Sequence, residues 1–520
     1  MLTTQRLVER SLAAFGDRIA VVDQGRSVTY RTLGERSARI ANALLALGAG
    51  ADRPVAIFLP NDFHFVEIDV ACMRAGITRV GVSTRLSADE CQFIVNHSGA
   101  AVLVTTETLL AGIDRRALDT LSALVIVDGK QRSGAADVLD YEAMMTRAAA
   151  SLDVPVVGPE HPAYVLYTSG TTGRPKGAAH THGSRVAALV NMLANEITAG
   201  KASAMVHCAP LTHGSGSKLL TFLALGARNV ILPRFDPEQF ARAVTEHRGT
   251  HSFMVPTMLQ MLIDAGPDVC RSVRAMHQLS FGGAPITNAA FARALEAFGS
   301  ILVQVYGTCE APHPATVLGP DDYADAADPA ALAETAGRAS LATELRIAGD
   351  DGHSLASGEE GELLIRGSYV MHRYWRDDAA TAEVFDVDRW YKTGDIAVID
   401  GEGFVRFKDR KRDLIITGGL NVYPSEVERV LATNPDVLEV AVIGYPDDRW
   451  GESVMACVVP RDRAAASHEA LTAWLDGRIA GYKKPRRTVF VDELPKGSTN
   501  KVLKRELREK FWAGRGRRIN

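Results

Sequence analysis

Short apolar runs alternate with helix-like segments along the first 130 residues of the chain. A helix is predicted to begin at Thr32 and to end at Gly48, and another opens with the S-x-x-E capping box of Ser87 and Glu90. Strands that alternate with helices predict a parallel sheet covered by helices. The apolar runs with the length of strands lie at 27–30, 55–59, 101–106 and 123–128.

The pattern changes further along the chain. Residues 163–177, AYVLYTSGTTGRPKG, predict a strand, a glycine-rich turn and the start of a helix. The alternation of GELLIRG at 361–367 predicts antiparallel strands rather than more parallel sheet. The charged stretch FKDRKRD at 407–413 then precedes a part with its own strands and helices, one of which opens at Pro424.

These patterns predict an α/β protein of two domains. Residues 1–411 are expected to form a large N-terminal domain of α/β sheets plus a β-rich subdomain. Residues 412–520 are expected to form a small, mobile α+β C-terminal domain, with the hinge at Arg412.

Composition and charge exclude several classes of function. The chain has 520 residues, of which 46% are hydrophobic and 23% charged, and its formal net charge is −4. No global basic field exists to hold nucleic acid, and no apolar run has the ~18 residues of an integral membrane segment. The six cysteines form no CxxC pair and suit a reducing compartment, so a cytoplasmic location is expected. A homodimer is possible, and the sequence does not decide the oligomeric state.

The strongest chemical signal is the segment YTSGTTGRPKG at 167–177. Hydroxyl side chains, glycines and Lys176 follow a buried strand here, a combination that lets backbone N–H groups and hydroxyls approach an anion closely. A Walker loop requires G-x-x-x-x-G-K-[ST], which this segment lacks. A plain surface turn rarely has so many hydroxyls beside a strand, so we predict a phosphate-binding loop.

This segment resembles the phosphate loop of the adenylate-forming superfamily, which includes acyl- and aryl-CoA synthetases, luciferases and peptide-synthetase adenylation domains. Further matches follow in the family's order and span residues 160 to 505. The resemblance implies that ATP phosphates contact the loop. The residues carried over are Thr168, Ser169, Gly170, Thr171, Thr172, Gly173 and Lys176.

Three further segments resemble the family's acid and adenine sites. The resemblance of PLTHGSG at 210–216 implies that His213 is a candidate gate between the acid pocket and the nucleotide, with a catalytic role. SFGGAPI at 280–286 implies that Gly283, Ala284 and Pro285 lie against adenine. QVYGTCEAP at 304–312 implies further nucleotide contacts. These are Gln304, Tyr306 (stacked on adenine), Gly307, Thr308 and Cys309.

The segment at 304–312 also implies a metal ligand and contains a departure from the family pattern. Glu310 would hold Mg²⁺ as a catalytic residue, and a hard cation that bridges phosphates needs few protein carboxylates. Cys309 replaces the family's phosphate-contacting threonine. A thiol is a weak donor, so Thr308 or the backbone is an alternative source of the α-phosphate contact.

Matches near the domain boundary and the C-terminus complete the resemblance. The T-G-D segment implies that Asp395 accepts hydrogen bonds from both ribose hydroxyls, and Arg410 would contact ribose or phosphate. LPKGSTNKVLKREL at 494–507 carries the catalytic lysine as Lys501, with Asn500 in place of the usual glycine. Gly418 and Gly419 would border the pantetheine tunnel.

The resemblance implies a two-step ligase with ATP, Mg²⁺ and CoA as cofactors or co-substrates. A small-molecule carboxylic acid forms an acyl-adenylate with release of pyrophosphate, and CoA then displaces AMP. The five positions directly after Thr212 are His, Gly, Ser, Gly and Ser, so no acidic residue is there to pair with an α-amine, which disfavours amino acids. An acyl-AMP ligase that loads a separate carrier protein, luciferase chemistry and an inactive interaction homologue remain alternatives. Whether the acid is aromatic, alicyclic or a medium or long chain is left open.

Overall fold

The structure of the chain is a computed structural model that describes residues 2–129, 138–168, 174–447, 449–463, 466–497 and 502–512. The strands of this part of the chain, in order, are β1 (Ile19–Asp23), β2 (Arg26–Thr29), β3 (Val55–Phe58), β4 (Arg79–Gly81), β5 (Val102–Thr105), β6 (Ala123–Ile126), β7 (Val138–Asp140), β8 (Pro162–Thr168), β9 (Lys176–Thr181), β10 (Ala204–His207), β11 (Arg228–Ile231), β12 (His251–Met254), β13 (Gln278–Gly282), β14 (Leu302–Tyr306), β15 (Thr316–Leu318), β16 (Arg338–Ala339), β17 (Glu344–Ala348), β18 (Glu360–Arg366), β19 (Arg373–Tyr374), β20 (Tyr391–Ile399), β21 (Val405–Arg410), β22 (Ile415–Thr417), β23 (Leu420–Val422), β24 (Val437–Asp447), β25 (Gly451–Pro460) and β26 (Arg487–Phe490).

The α-helices of the described residues are α1 (Thr4–Ala14), α2 (Tyr30–Ala46), α3 (Phe63–Ala75), α4 (Ala88–Ser98), α5 (Glu107–Leu110), α6 (Tyr141–Arg147), α7 (His182–Asn195), α8 (Gly214–Ser217), α9 (Leu219–Ala224), α10 (Pro237–His247), α11 (Pro256–Asp264), α12 (Pro267–Arg274), α13 (Asn288–Phe298), α14 (Pro320–Asp325), α15 (Asp378–Val384), α16 (Pro424–Leu431), α17 (His468–Trp474) and α18 (Lys504–Trp512).

Contacts divide the chain into two compact units. The first comprises Met1–Leu345 and Ile365–Tyr391, and the second comprises Arg346–Leu364 and Lys392–Asn520. Residues 392–411 thus group with the C-terminal residues, whereas the sequence predicts a boundary between 411 and 412. That boundary, and the hinge at Arg412, stay predictions.

Two large sheets form the first unit. One has the strand order β16-β15-β14-β13-β12-β10-β11-β1-β2, and its strands from β14 to β1 run parallel. The other has the order β19-β9-β8-β4-β3-β5-β6-β7, parallel from β8 to β7. The predicted mixed α/β fold with parallel sheets is confirmed. The predicted strand at 27–30 is the exception, because β2 pairs antiparallel with β1 at a sheet edge.

Local sequence explains most of the helix ends. Ser87 and Glu90 form the predicted capping box of α4, with both reciprocal hydrogen bonds present. The predicted start at Thr32 is wrong, because Thr29 caps α2 by accepting a hydrogen bond from the Thr32 backbone N–H. Gly48 follows the end of that helix with a φ of +83°, a conformation that a glycine adopts without strain.

The second unit has its own small core. Its C-terminal sheet has the order β23-β22-β25-β24, with β26 paired to β25. Helix α16 begins at Pro424 as predicted, and it buries Val427 and Leu431 against the sheet. A further sheet of the described residues has the order β17-β18-β20-β21, and its β20 and β21 are antiparallel.

Candidate active site

The carboxyl ends of parallel strands in the larger sheet collect several of the predicted site residues. His213 follows β10, Gly283 and its exposed neighbours follow β13, and Tyr306 ends β14. Strands β10, β12, β13 and β14 are successive parallel neighbours, so these residues emerge at one edge of the sheet. Ligands of open α/β sheets bind at this edge, which agrees with the predicted nucleotide and acid sites.

The predicted phosphate loop connects two antiparallel strands. Thr168 ends β8 and pairs with Lys176 at the start of β9, and the Thr168 hydroxyl donates to the Lys176 carbonyl over 3.4 Å. The predicted helix start after the loop is wrong, because residues 176–181 pair with β8 and the helix begins only at His182. The hairpin therefore brings the two ends of the loop together. Ser169, Gly170, Thr171, Thr172 and Gly173 lie outside the described residues.

The predicted metal ligand, Glu310, is held at both its main chain and its side chain by one distant segment. The Met371 N–H donates to the Glu310 carbonyl over 2.6 Å. The Tyr374 hydroxyl donates to Glu310 Oε1 over 2.8 Å, and the glutamate is only 7% exposed. Tyr374 lies on β19, opposite Ala178 of β9, and the Lys176 Nζ lies 5.4 Å from the centre of its ring. Sequence motifs gave no signal for Tyr374.

The phenols around Glu310 stay protonated at neutral pH. Burial raises the pKa of Tyr374, and the negative charge of Glu310 raises it further. Burial likewise raises the pKa of Tyr391 well above its usual value, with the Glu310 carboxylate adding to the effect. Because a neutral phenol keeps its proton, Tyr374 remains a hydrogen-bond donor to the Glu310 carboxylate at neutral pH.

The donor set around Glu310 fits a magnesium ion that is carried largely by phosphate. The described residues contain no group of three or more histidine, cysteine, aspartate or glutamate side chains that could hold a metal alone. Mg²⁺ is commonly bound through one or two protein carboxylates together with nucleotide phosphates and water. A single buried carboxylate with one oxygen already hydrogen-bonded is consistent with that mode of binding.

The turn before Glu310 is stabilised by its own threonine. The Thr308 N–H donates to the Ala311 carbonyl over 2.9 Å, and the Ala311 N–H donates to the Thr308 hydroxyl over 3.0 Å. Gly307 is required here, because a Cβ at this position would lie 2.4 Å from the His313 nitrogen. Cys309 is half-buried and packs against an apolar cluster. The Thr308 hydroxyl therefore has a structural function within the turn.

A buried histidine that the sequence analysis missed supports the same turn. His180 Nε2 lies 2.7 Å from the Cys309 carbonyl oxygen, which can only accept, so Nε2 carries the proton. Its ring stacks on Tyr164 with centroids 4.7 Å apart. Burial lowers the pKa of His180 to about 4, and the charges of Arg185 and Arg79 contribute. His180 is thus a neutral donor at physiological pH.

The residues after β10 meet an aromatic pair. His213 Nδ1 lies 2.8 Å from the Thr212 hydroxyl, and His213 directly precedes α8. The rings of Phe253 and His313 are stacked, with centroids 4.8 Å apart and planes within 5°. A Cβ at Gly214 would lie 2.7 Å from Phe253 Cε1, so only glycine fits against this pair. Burial and the charge of Lys218 lower the pKa of His313.

The predicted adenine-contacting residues differ in exposure. Gly283, Ala284 and Pro285 are exposed at the end of β13. Gln304 is half-buried and its side-chain amide donates to the Thr335 carbonyl over 3.0 Å. Tyr306 is half-buried, and its carbonyl accepts from the Ala315 N–H over 2.8 Å. The loop 283–285 is therefore the exposed part of this predicted site, and Tyr306 is partly covered.

In the second unit, the predicted ribose and phosphate ligands form one cross-strand pair. Asp395 of β20 lies opposite Arg410 of β21, and Arg410 Nε lies 2.6 Å from Asp395 Oδ1. The Thr393 hydroxyl accepts from the Asp395 N–H over 3.0 Å. Gly394 has a φ of +71°, which a glycine adopts without strain. The sequence predicted both charged residues but not their direct contact.

The predicted hinge residue contacts the C-terminal helix of the same unit. Arg412 lies in a single 3₁₀ turn, Lys411–Asp413. Arg508 of α18 donates to the Arg412 carbonyl over 3.2 Å and to Asp413 Oδ1 over 2.8 Å. Lys501 and Asn500 lie outside the described residues, so their predicted roles stay predictions.

The predicted tunnel glycines form a tight hairpin turn between β22 and β23. Gly418 and Gly419 have φ angles of +58° and +80°, as a two-residue type I′ turn requires. A Cβ at Gly418 would lie 2.6 Å from Trp450 Cε3. The guanidinium carbons of Arg449 and Arg486 lie 4.8 Å and 5.0 Å from the centre of the same indole ring. The turn therefore lies beside an aromatic ring flanked by positive charge.

Comparisons with known proteins cover nearly the whole chain. The family described as AMP-binding enzyme matches residues 8–375, and the AMP-binding enzyme C-terminal domain matches residues 426–501. The chain is 38% identical to a feruloyl-CoA synthase of Amycolatopsis sp, over 95% of this chain and 96% of that protein. It is 35% identical to an indoleacetate–CoA ligase of Aromatoleum aromaticum, over 93% of each chain.

Solved structures agree with these sequence matches. The o-succinylbenzoate CoA synthetase of Bacillus subtilis, in complex with its acyl-adenylate intermediate, matches with a TM-score of 0.84 and 28% identity over 98% of both chains. The amide bond synthetase McbA from Marinactinospora thermotolerans matches with a TM-score of 0.84 and 29% identity over 98% of this chain and all of that one. Within the described residues, no helix is long and apolar enough to cross a membrane.

Proposed function

The chain belongs to the family of AMP-binding enzymes, as an AMP-forming acid–CoA ligase, and within this family we propose that its substrate is an aryl-substituted carboxylic acid. The observation that carries this proposal is the stacked pair of Phe253 and His313 against Gly214, directly after the predicted gate residue His213. A stacked pair of flat rings favours flat, ring-bearing ligands beside it. The feruloyl-CoA synthase and the indoleacetate–CoA ligase among the relatives support the same substrate class.

The reaction proceeds in two displacements. A carboxylate oxygen of the acid bonds to the α-phosphorus of ATP, and the bond from that phosphorus to pyrophosphate breaks. The sulfur of CoA, its proton lost to solvent, then bonds to the acyl carbon, and AMP leaves with the electron pair of the broken C–O bond. The first step brings two anions together, so positioned positive charge is the main requirement on the protein.

We assign that positive charge to two lysines. Lys176 and the loop residues from Thr168 to Gly173 hold the departing pyrophosphate, and Lys501 bridges the carboxylate and the α-phosphate. The position of Lys176 at the closed end of the β8–β9 hairpin supports its role. Glu310 would hold Mg²⁺, which neutralises phosphate charge when it is bound.

The nucleotide's sugar and base are assigned to the remaining predicted ligands. Asp395 accepts from the ribose hydroxyls, since a carboxylate is the natural acceptor for a diol, and Arg410 orients it through their ion pair. Tyr306 and the exposed residues 283–285 contact adenine. Thr308 or the backbone, rather than the Cys309 thiol, contacts the α-phosphate, because the hydroxyl is the better donor.

For the acceptor, we assign the CoA site to the glycine turn of the second unit. Gly418 packs directly against Trp450, and a Cβ at Gly419 would meet nothing within 4 Å, so the pantetheine chain would pass beside Gly419. Arg449 and Arg486, which flank that ring, supply charge for the CoA phosphates. We place the reaction in the cytoplasm, which suits six cysteines that form no disulfide bond. The predicted homodimer stays a prediction.

An acid panel tests the substrate class. We expect hydroxycinnamic and indole acids to give a higher kcat/KM than fatty acids of 8 to 16 carbons, in an assay of AMP release with ATP, Mg²⁺ and CoA. The 32% identity to a long-chain-fatty-acid–CoA ligase of Mycobacterium tuberculosis, FadD13, makes fatty acids the second candidate. A preference for fatty acids would overturn the aryl proposal. AMP release that requires a carrier protein would overturn the CoA assignment.

A further inference from the structure

One tyrosine contacts the predicted metal ligand and also lies under the predicted pyrophosphate lysine. Tyr374 donates its hydroxyl proton to Glu310 Oε1 over 2.8 Å, and Lys176 Nζ lies 5.4 Å from the centre of its ring. The ring and the hydroxyl of Tyr374 therefore contact two different functional groups. Tyr374, Glu310 and Lys176 all belong to the first unit, so their contacts involve no residue of the second unit.

The position of Tyr374 is determined by its backbone. Its strand β19 pairs with β9, where Tyr374 lies opposite Ala178, two residues after Lys176. Three residues before it, the Met371 N–H holds the Glu310 carbonyl over 2.6 Å. The segment 371–374 thus contacts Glu310 at both its main chain and its carboxylate, while it is anchored to the strand that carries Lys176.

We propose that Tyr374 is a positioning residue that orients the Glu310 carboxylate toward the metal–nucleotide complex. Its hydroxyl occupies Oε1 and thereby directs the second oxygen to the cation, as groups behind a metal ligand commonly do. Without the hydroxyl, a 7% exposed carboxylate loses its donor and its rotation is no longer restricted. This inference rests on the proposed role of Glu310 in holding Mg²⁺.

The test is Tyr374→Phe, which removes the hydroxyl and keeps the ring beneath Lys176. ATP binding without acid is measured by calorimetry over a range of Mg²⁺ concentrations, so no turnover is needed. We expect the half-saturating Mg²⁺ concentration to rise about 10-fold or more, as is usual for losses behind a metal ligand. At saturating Mg²⁺ the ATP affinity and kcat should return close to those of the wild type.

Tyr369→Phe is the matched control. Tyr369 is fully buried in the same apolar cluster, but its hydroxyl pairs with the Thr343 hydroxyl over 2.8 Å instead of with Glu310. Both variants thus lose a buried phenol hydroxyl, but only the hydroxyl of Tyr374 contacts the Glu310 carboxylate. We expect Tyr369→Phe to leave the Mg²⁺ dependence unchanged.

Glu310→Gln separates this inference from the proposed function. If Glu310→Gln raises the half-saturating Mg²⁺ concentration and Tyr374→Phe does not, the positioning role of Tyr374 is wrong and the metal role of Glu310 stands. Equal shifts in Tyr374→Phe and Tyr369→Phe would also overturn the positioning role, since they would reflect general loosening of the core. An unchanged Mg²⁺ dependence in Glu310→Gln would overturn the metal assignment itself.

Discussion

Arg410 Nε lies 2.6 Å from Asp395 Oδ1 across the β20–β21 ladder, so the two predicted nucleotide ligands of the second unit are already paired in the protein. The Asp395 side chain is 8% exposed and that of Arg410 is 41% exposed. The arginine therefore fixes the orientation of the carboxylate before any nucleotide is present.

Asp395→Asn is expected to raise the KM for ATP about 10-fold or more and to leave the KM for the acid unchanged. Hydrogen bonds to a charged group contribute about 1.5–3 kcal/mol, and the amide keeps the shape but loses the charge. Asp400→Asn is the control, since Asp400 pairs with Arg406 at the other end of the same hairpin. Steady-state kinetics with each substrate varied would contradict the ribose role if only the acid's KM rose.

Cys309→Thr is expected to keep or increase the rate of acyl-adenylate formation. A hydroxyl is a better donor than a thiol, and the half-buried position already packs among apolar side chains. The measurement is pyrophosphate release with Cys309→Ala as the comparison. An inactive but folded Cys309→Thr enzyme would mean that the site depends on the thiol or on its size.

Lys501→Ala is expected to reduce acyl-adenylate formation about 100-fold or more, because one positioned charge in such a site contributes on the order of 3 kcal/mol. Thioester formation from synthetic acyl-adenylate and CoA should be retained. Lys496→Ala is the control, since Lys496 lies five residues earlier and pairs with Glu439 over 2.7 Å. Equal loss of the two half-reactions in Lys501→Ala would make the single-step role wrong.

Arg412→Pro is expected to have the opposite effect, with adenylation retained and thioester formation slowed. Proline fixes φ and disfavours the helical conformation of the preceding Lys411, so the turn at 411–413 can no longer change shape freely. Arg412→Ala removes the side chain without this restriction and should support both half-reactions. If both variants slow thioester formation equally, the loss of the arginine side chain is the cause; if neither does, the turn need not change shape. Either result contradicts the hinge prediction.

The stability of the fold is expected to fall as the pH drops below about 6.5. Burial lowers the pKa of His180 from 6.5 to about 4, so between these pH values the unfolded chain binds a proton that the folded protein excludes. Each such histidine costs the fold about 1.4 kcal/mol per pH unit in this window.

The pH effect is measured as the urea midpoint of His180→Gln and wild type at pH 7.5 and pH 5. At pH 7.5 His180 is neutral in both the folded and the unfolded protein. The difference in urea midpoint between the variant and the wild type at this pH therefore reports only the loss of the contacts of His180. We expect the variant to lose less stability than the wild type between the two pH values. An equal loss in both proteins would show that His180 is protonated in the folded state or does not contribute.

The sequence by itself determined those features that depend only on residues close together along the chain. The capping box of Ser87 and Glu90 is local, as is the left-handed turn of Gly418 and Gly419, and both follow from residue type alone. The ordered motifs likewise identified the family, because its pattern follows the order of residues along the chain. The same motifs predict the roles of Glu310 and Asp395.

Only the tertiary structure decided which residues support those motifs. Tyr374 lies 64 positions from Glu310, and His180 lies 129 positions from Cys309, so no local pattern predicts either contact. The segment at 176–181 has no strong strand pattern of its own, and it becomes a strand because β8 and β19 pair with it on either side. Sheet pairing is a long-range interaction, and it overrode the local preference that predicted a helix there.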